Sequence, residues 1–215
     1  MKKLGMFLMM VVAMVIATPN MNAQELTKRD IKNIERDARK ETKRLTKEGW
    51  KVTPGSLSLE RQLTEAYTKQ AEKDAQGMEK NIKGEAMSIG EFFDAAYMQA
   101  STLAKNDIAS KMETFVMGRV QSLVNNGQLS GKQAVSVGET ASHTKNTVAQ
   151  HLGQVSMPVT MYRDLANGNV EVRVIAFYSK MAAVNIAKEE LRRSLKEQSD
   201  NLGLDDNAIE DILNF

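Results

Sequence analysis

Ile82-Lys83-Gly84-Glu85-Ala86-Met87-Ser88 runs straight into an alanine-rich segment from Glu91 to Val124, and the reading of this junction decides the fold. Side chains alternate along a strand, so Ile82, Gly84, Ala86 and Ser88 face one way and Asn81, Lys83, Glu85 and Met87 the other. The first face is small and apolar, which lets a helix come close. Ser88-Ile89-Gly90-Glu91 has the S-x-x-E form of a capping box and marks the expected helix start. Phe93, Ala96, Ala100, Leu103, Ala104, Ile108, Met112, Phe115 and Leu123 then recur at three- and four-residue steps, the stripe of an amphipathic helix. Asn125-Asn126-Gly127 tolerates left-handed backbone and is the expected stop.

Upstream of this unit the chain begins with Lys2 and Lys3, followed by an apolar run from Leu4 to Thr18 that is short for a bilayer span. Residues 1–23 are therefore expected to be a secretory signal peptide, cleaved after Met21-Asn22-Ala23 to leave Gln24 first, the alternative being an uncleaved anchor, since Met21 is larger than the usual small residue. Export changes the charge balance. The full sequence has 29 Lys and Arg against 27 Asp and Glu; removing Lys2 and Lys3 leaves 27 of each. A neutral chain lacks the basic footprint that nucleic acid requires, so no nucleic-acid partner is expected. With no cysteine there are no disulfides, no thiolate chemistry and no lipid-anchor Cys, and an exported fold must rest on packing.

The segment 24–78 reads as amino-terminal charged helices. Between Glu25 and Glu48 nine Lys or Arg and six Asp or Glu surround a thin stripe of Ile31, Ile34, Ala38 and Leu45. Thr27-x-x-Asp30 is a cap and Gly49 a stop. Trp50, the single tryptophan, precedes the Pro54-Gly55 turn and is expected to be a core anchor or a ligand or partner contact. A second helix from Ser56 or Ser58 to Gln76 carries Leu59, Leu63, Ala66, Tyr67 and Gln70 on one face.

Residues 79–200 read as the core domain. After the alanine-rich helix, Ser130-Gly131-Lys132-Gln133 is a second capping box, opening a helix to Leu152. Val155, Met157, Val159 and Met161 alternate with polar positions, and Pro158 implies an edge strand or bulge. Asn167-Gly168 turns the chain into Val170, Val172, Val174, Ala176 and Tyr178, completing a hairpin. Ser179 caps a last long helix ending at Leu202-Gly203, and residues 201–215 form a carboxy-terminal tail helix that docks or frays. Three strands in a mainly antiparallel sheet, with long helices on one side, make an α+β layer fold.

At this point a resemblance can be stated. Ile82-Lys-Gly84-Glu-Ala86, followed by Ala96-x-x-x-Ala100-x-x-Leu103-Ala104-x-x-x-Ile108, resembles the Lpp-twenty outer-membrane lipoprotein family and the amino-terminal domain of the flagellar assembly T protein. It covers roughly Glu79 to Gln198. The whole chain, including Glu48-Gly49-Trp50-Lys51-Val52, is also similar to exported proteins of anaerobic gut bacteria. The resemblance implies a small α+β unit, an envelope location and contacts with other proteins, and it offers no catalytic residues. The lipoprotein cysteine is missing here, so lipid tethering is not implied.

The residues themselves point away from catalysis. His143 and His151, eight positions apart on a helix, lie about 12 Å and about 80° apart and cannot share a metal. There is no H-E-x-x-H, no phosphate loop and no G-x-S-x-G elbow, and Glu189-Glu190 and Asp205-Asp206 read as solvated pairs. No cofactor, metal or catalytic residue is expected. The leading expectation is a noncatalytic periplasmic or outer-membrane-associated module that binds another envelope protein or itself. The alternative is a module for cell-wall glycan or another small ligand, in a groove near Trp50 and the hairpin. A hydrolase would need a close, buried carboxylate pair assembled by the fold.

Overall fold

A computed structural model describes residues 26–214; the expected signal segment and its cleavage site lie outside the described residues. In chain order the elements are α1 (Lys28–Lys47), α2 (Leu59–Ala71), β1 (Asn81–Gly90), α3 (Phe93–Asn125), α4 (Gly131–His151), β2 (Ser156–Asp164), β3 (Val170–Ser179), α5 (Lys180–Glu197), α6 (Ser199–Leu202) and α7 (Asp206–Leu213). The strands form one antiparallel sheet in the order β1-β3-β2, and the fold is α+β.

The central junction folds as strand then helix, with one correction at the seam. Ser88 is not a helix cap. β1 continues to Gly90, held by β3 through Gly90 opposite Val170, and α3 starts at Phe93 without a side-chain cap. The Ser88 hydroxyl is instead buried and donates to Gln99 Oε1 at 2.5 Å. Ala96, Ala100, Ala104 and Ile108, each fully buried, form one ridge of α3 against the sheet. Gly84 permits the approach: an added Cβ would stand 2.2 Å from the Ala104 carbonyl oxygen and 2.7 Å from Ile108 Cγ1. Leu103 and Phe115, counted in the stripe by spacing, lie on its margins and are partly exposed.

Helices cover both faces of the sheet, not one. Val172, Val174 and Ala176 pack on α3, with α4 and α5 behind it. Ile175, Phe177, Val159 and Met161 point the other way, into a cluster with Ala38 and Leu45 of α1, Trp50, and Leu59, Leu63 and Ala66 of α2. The charged helices thus form the third layer. A thin apolar stripe suffices for α1 because α2 supplies most of the cover. Spacing placed Val155 and Met157 on the same face as Val159 and Met161. The register is irregular between Ser156 and Val159, around Pro158, and this bulge turns Val155 and Met157 to the α3 side.

α3 has 33 residues and spans about 50 Å, whereas ten-residue β1 spans about 33 Å. Its overhang builds a separate helical core. Val116, Val120 and Leu123 pack there with Val137 and Ala141 of α4, Leu191 and Leu195 of α5, and Ile209, Ile212 and Leu213 of α7. The tail therefore docks, capped by Asp205. α4 opens with the expected box, Ser130 and Gln133 bonding each other's backbone. α2 stops at Ala71, short of Gln76, because the Asp74 carboxylate accepts from the amides of Gln76 and Met78 and forms a turn.

Candidate functional site

A three-stranded open sheet has two edges, and unpaired backbone on an edge invites another strand. The β2 edge is blunted. Tyr162 exchanges two backbone hydrogen bonds of 2.8 Å with Lys51. The amide of Thr160 donates to the buried Gln62 side chain at 2.9 Å, while Gln62 Nε2 donates to the Leu57 carbonyl at 2.8 Å. Pro158 has no amide hydrogen to offer.

Only half of the β1 edge is treated in this way. The Glu85 amide donates to Asp107 Oδ2 at 3.0 Å, and Lys111 Nζ donates to the Lys83 carbonyl at 2.6 Å. Asp107 and Lys111 are one turn apart on α3 and paired at 2.8 Å, so they act as one clip over the edge. These bonds fix the direction in which the Lys83 and Glu85 peptide groups point. Strand alternation then sends the N–H and C=O of Met87 and Ile89 to the same side. Among the described residues no such clip reaches them. Their side chains are 54% and 52% exposed, with Phe92 beyond the strand end exposed as well. Leu103, one turn before Asp107, leaves a partly exposed apolar side chain where the next clip would be.

The sheet face beside this open edge is held by charge. Arg173 bonds Glu85 through Nε at 2.7 Å and through a second nitrogen, and Lys83 Nζ reaches the other carboxylate oxygen at 2.6 Å. Burial pushes the Glu85 carboxyl up, but the bonds from Lys83 and Arg173 together outweigh it and hold the group below its usual range. Nearby, the Arg44 bond holds Glu41 low in the same sense.

Trp50 is placed in the core rather than on an open platform. Only 5% of it is exposed, and the Arg163 guanidinium lies 4.7 Å from its ring centre. Arg163 is held in turn by Glu171 at 2.6 Å. His143 is exposed, as expected of a surface histidine. His151 is tied to Glu190 at 2.9 Å across α4 and α5. Glu190, read as solvated, is instead buried, and Arg193 holds its second oxygen. The half-buried Glu85 and the buried Glu190 are thus each matched by cations. Glu113 sits in a third cluster, accepting from Ser142 at 2.5 Å with Lys145 3.4 Å away. Among the described residues no three metal-ligating side chains come together, and no helix is long and apolar enough to cross a membrane.

The i,i+4 spacing of Asp107 and Lys111 is a sequence signal for an ion pair, but not for its use as an edge clip. That role depends on which way β1 turns its peptide groups. Comparison of the chain with protein-family models, curated proteins and solved structures returned no match.

Proposed function

We propose that this chain is an exported, noncatalytic cell-envelope protein that holds another protein by accepting one of its extended segments alongside β1. The open half of the β1 edge supports the reading. Met87 and Ile89 carry exposed apolar side chains, and among the described residues no side chain clips their outward main-chain groups, as clips do at Lys83, Glu85 and Thr160. In strand addition the main chain supplies affinity and alternate side chains supply specificity. The Lys2-Lys3 start and the apolar run to Thr18 support export, and the family resemblance of Ile82 to Ile108 supports an envelope location.

A photo-crosslinking residue at position 89 tests the reading in cells that express the protein, with the exposed helical position Val135 as reference. The expected result is a crosslinked polypeptide at 89 alone, lost in a Met87→Pro background. Proline there removes an outward-facing donor, which an edge strand tolerates. Equal labelling at both positions, or labelling at 89 that survives Met87→Pro, overturns it. Sequencing of the exported chain is expected to start at Gln24.

A further inference from the structure

A groove of about 470 Å3 opens on the opposite edge of the sheet, where the start of β2 meets the first turns of α3, the loop 53–57 and α2. This volume falls in the usual range for small-ligand sites of about 300–1,000 Å3. Its aromatic wall is built from α3. Phe93 and Tyr97 stack in parallel, ring centres 5.7 Å apart and planes 6° from coplanar. Phe93 is braced from the side by Tyr162, 5.3 Å away at 72°. Leu57, half exposed, Met157 and Pro158 add to the apolar lining.

The floor is rigid. Gln62 uses both ends of its amide inside the protein, bonding the loop at Leu57 and the strand at Thr160. The bulge at Pro158, which turned Met157 toward α3, is what brings that side chain beside the rings.

The polar lining is equally specific. Hydroxyls come from Thr53, Ser56, Ser156 and Thr160, and Glu65 is the one charged side chain among the described residues of the lining. Hydroxyls donate and accept, and so match a ligand that is itself rich in hydroxyls. Among the described residues no ammonium or guanidinium lines the groove to pair with phosphate, sulfate or carboxylate, and Glu65 repels them. A ligand that suits both halves has a flat apolar face and a rim of neutral hydroxyls. We propose that this groove binds a neutral carbohydrate, with a pyranose ring on the aromatic wall and its hydroxyls toward Ser56 and Glu65. The site is independent of the β1 edge, and neither proposal depends on the other.

The test is a titration of the purified, isotope-labelled protein, read by amide NMR shifts. The probes are cellotetraose, maltotetraose and a β-1,4-linked N-acetylglucosamine tetramer, with a hyaluronan tetrasaccharide as the anionic counterpart. At least one neutral tetrasaccharide is expected to shift amides at Leu57, Tyr97 and Met157 at millimolar concentration, with the anionic one weaker. Tyr97→Ala is expected to weaken that binding about tenfold, and Ser56→Ala severalfold. Ser56 lies in an exposed turn outside the core, with its hydroxyl donating to the Thr53 carbonyl at 2.6 Å and its lone pairs open to a ligand hydroxyl. Shifts with none of the neutral probes, stronger binding of the anionic one, or shifts that map elsewhere overturn the proposal. So does a proline-rich peptide that moves the same amides while the sugars do not.

Discussion

The two faces of the sheet are closed by opposite means. On one, Gly84 and the alanine ridge of α3 let helix and strand backbones approach until the Ala104 carbonyl almost touches the strand. On the other, large side chains meet: Leu63 and Trp50 against Ile175, Phe177 and Met161. The first face has no spare volume, and the second consists of volume. One should therefore fail when atoms are added and the other when they are removed.

Gly84→Val tests the first half of that contrast and carries the largest expected effect. Its Cβ would stand 2.2 Å from a backbone oxygen that no rotamer change can move. Overpacking of this kind is expected to cost about 4 kcal/mol or more, read as a lower urea midpoint and Tm. The contrast is broken if the variant is as stable as the parent.

Leu63→Ala probes the second half. Leu63 is 2% exposed and sits between α1, α2 and the sheet. Its truncation is expected to cost about 3 kcal/mol through lost burial and a residual cavity. The companion change Ala66→Leu, on the same helix, is expected to be tolerated better than Ala104→Leu opposite Gly84. Reversal of that order in chemical denaturation would show that both faces are packed alike.

Two serines with the same local pattern supply a smaller effect. Ser130-x-x-Gln133 is a working cap, whereas the serine of Ser88-x-x-Glu91 lies in β1, which runs on to Gly90. Ser130→Ala is expected to cost about 1 kcal/mol and to raise hydrogen exchange in the first turn of α4. Ser88→Ala is expected to leave exchange at the start of α3 unchanged, since its bond goes to Gln99. Identical patterns part here because β3 reaches Gly90 and holds residue 88 in the sheet, a long-range pairing that local sequence does not contain.

That is the general boundary of what was legible. Periodicity located three strands, the long helices and three caps, because each depends on neighbours in the chain. The third layer was not legible, because α1 shows few apolar residues and its burial depends on α2 lying beside it. Pro158 implied an edge strand or a bulge, but the consequence for Met157 needed the register. At the candidate sites, Trp50 drew attention by rarity and proved to be core. Met87 and Ile89 drew none, because an open edge is defined by the clips that stop short of it.

The smallest predicted effect concerns the part of the second face that α1 and α2 leave to Lys83, Glu85 and Arg173. Glu85 is held below its ordinary pKa of 4.5 in the folded chain. The unfolded chain therefore binds more protons near that pH, so the triad's contribution is present above it and is lost as pH falls through the depressed value. The pair is partly solvated, so the contribution should stay under about 1 kcal/mol and shrink further in high salt. Urea midpoints for the parent and Glu85→Gln are expected to differ at pH 7 and to converge in acid below the usual glutamate range. Glu41 titrates low as well, chiefly through its bond to Arg44 with the Arg173 charge adding to it, and it is common to both proteins. A gap that is constant with pH would mean that Glu85 acts by packing, and the uncovered part of this face would then be held by volume, like the part beneath the helices.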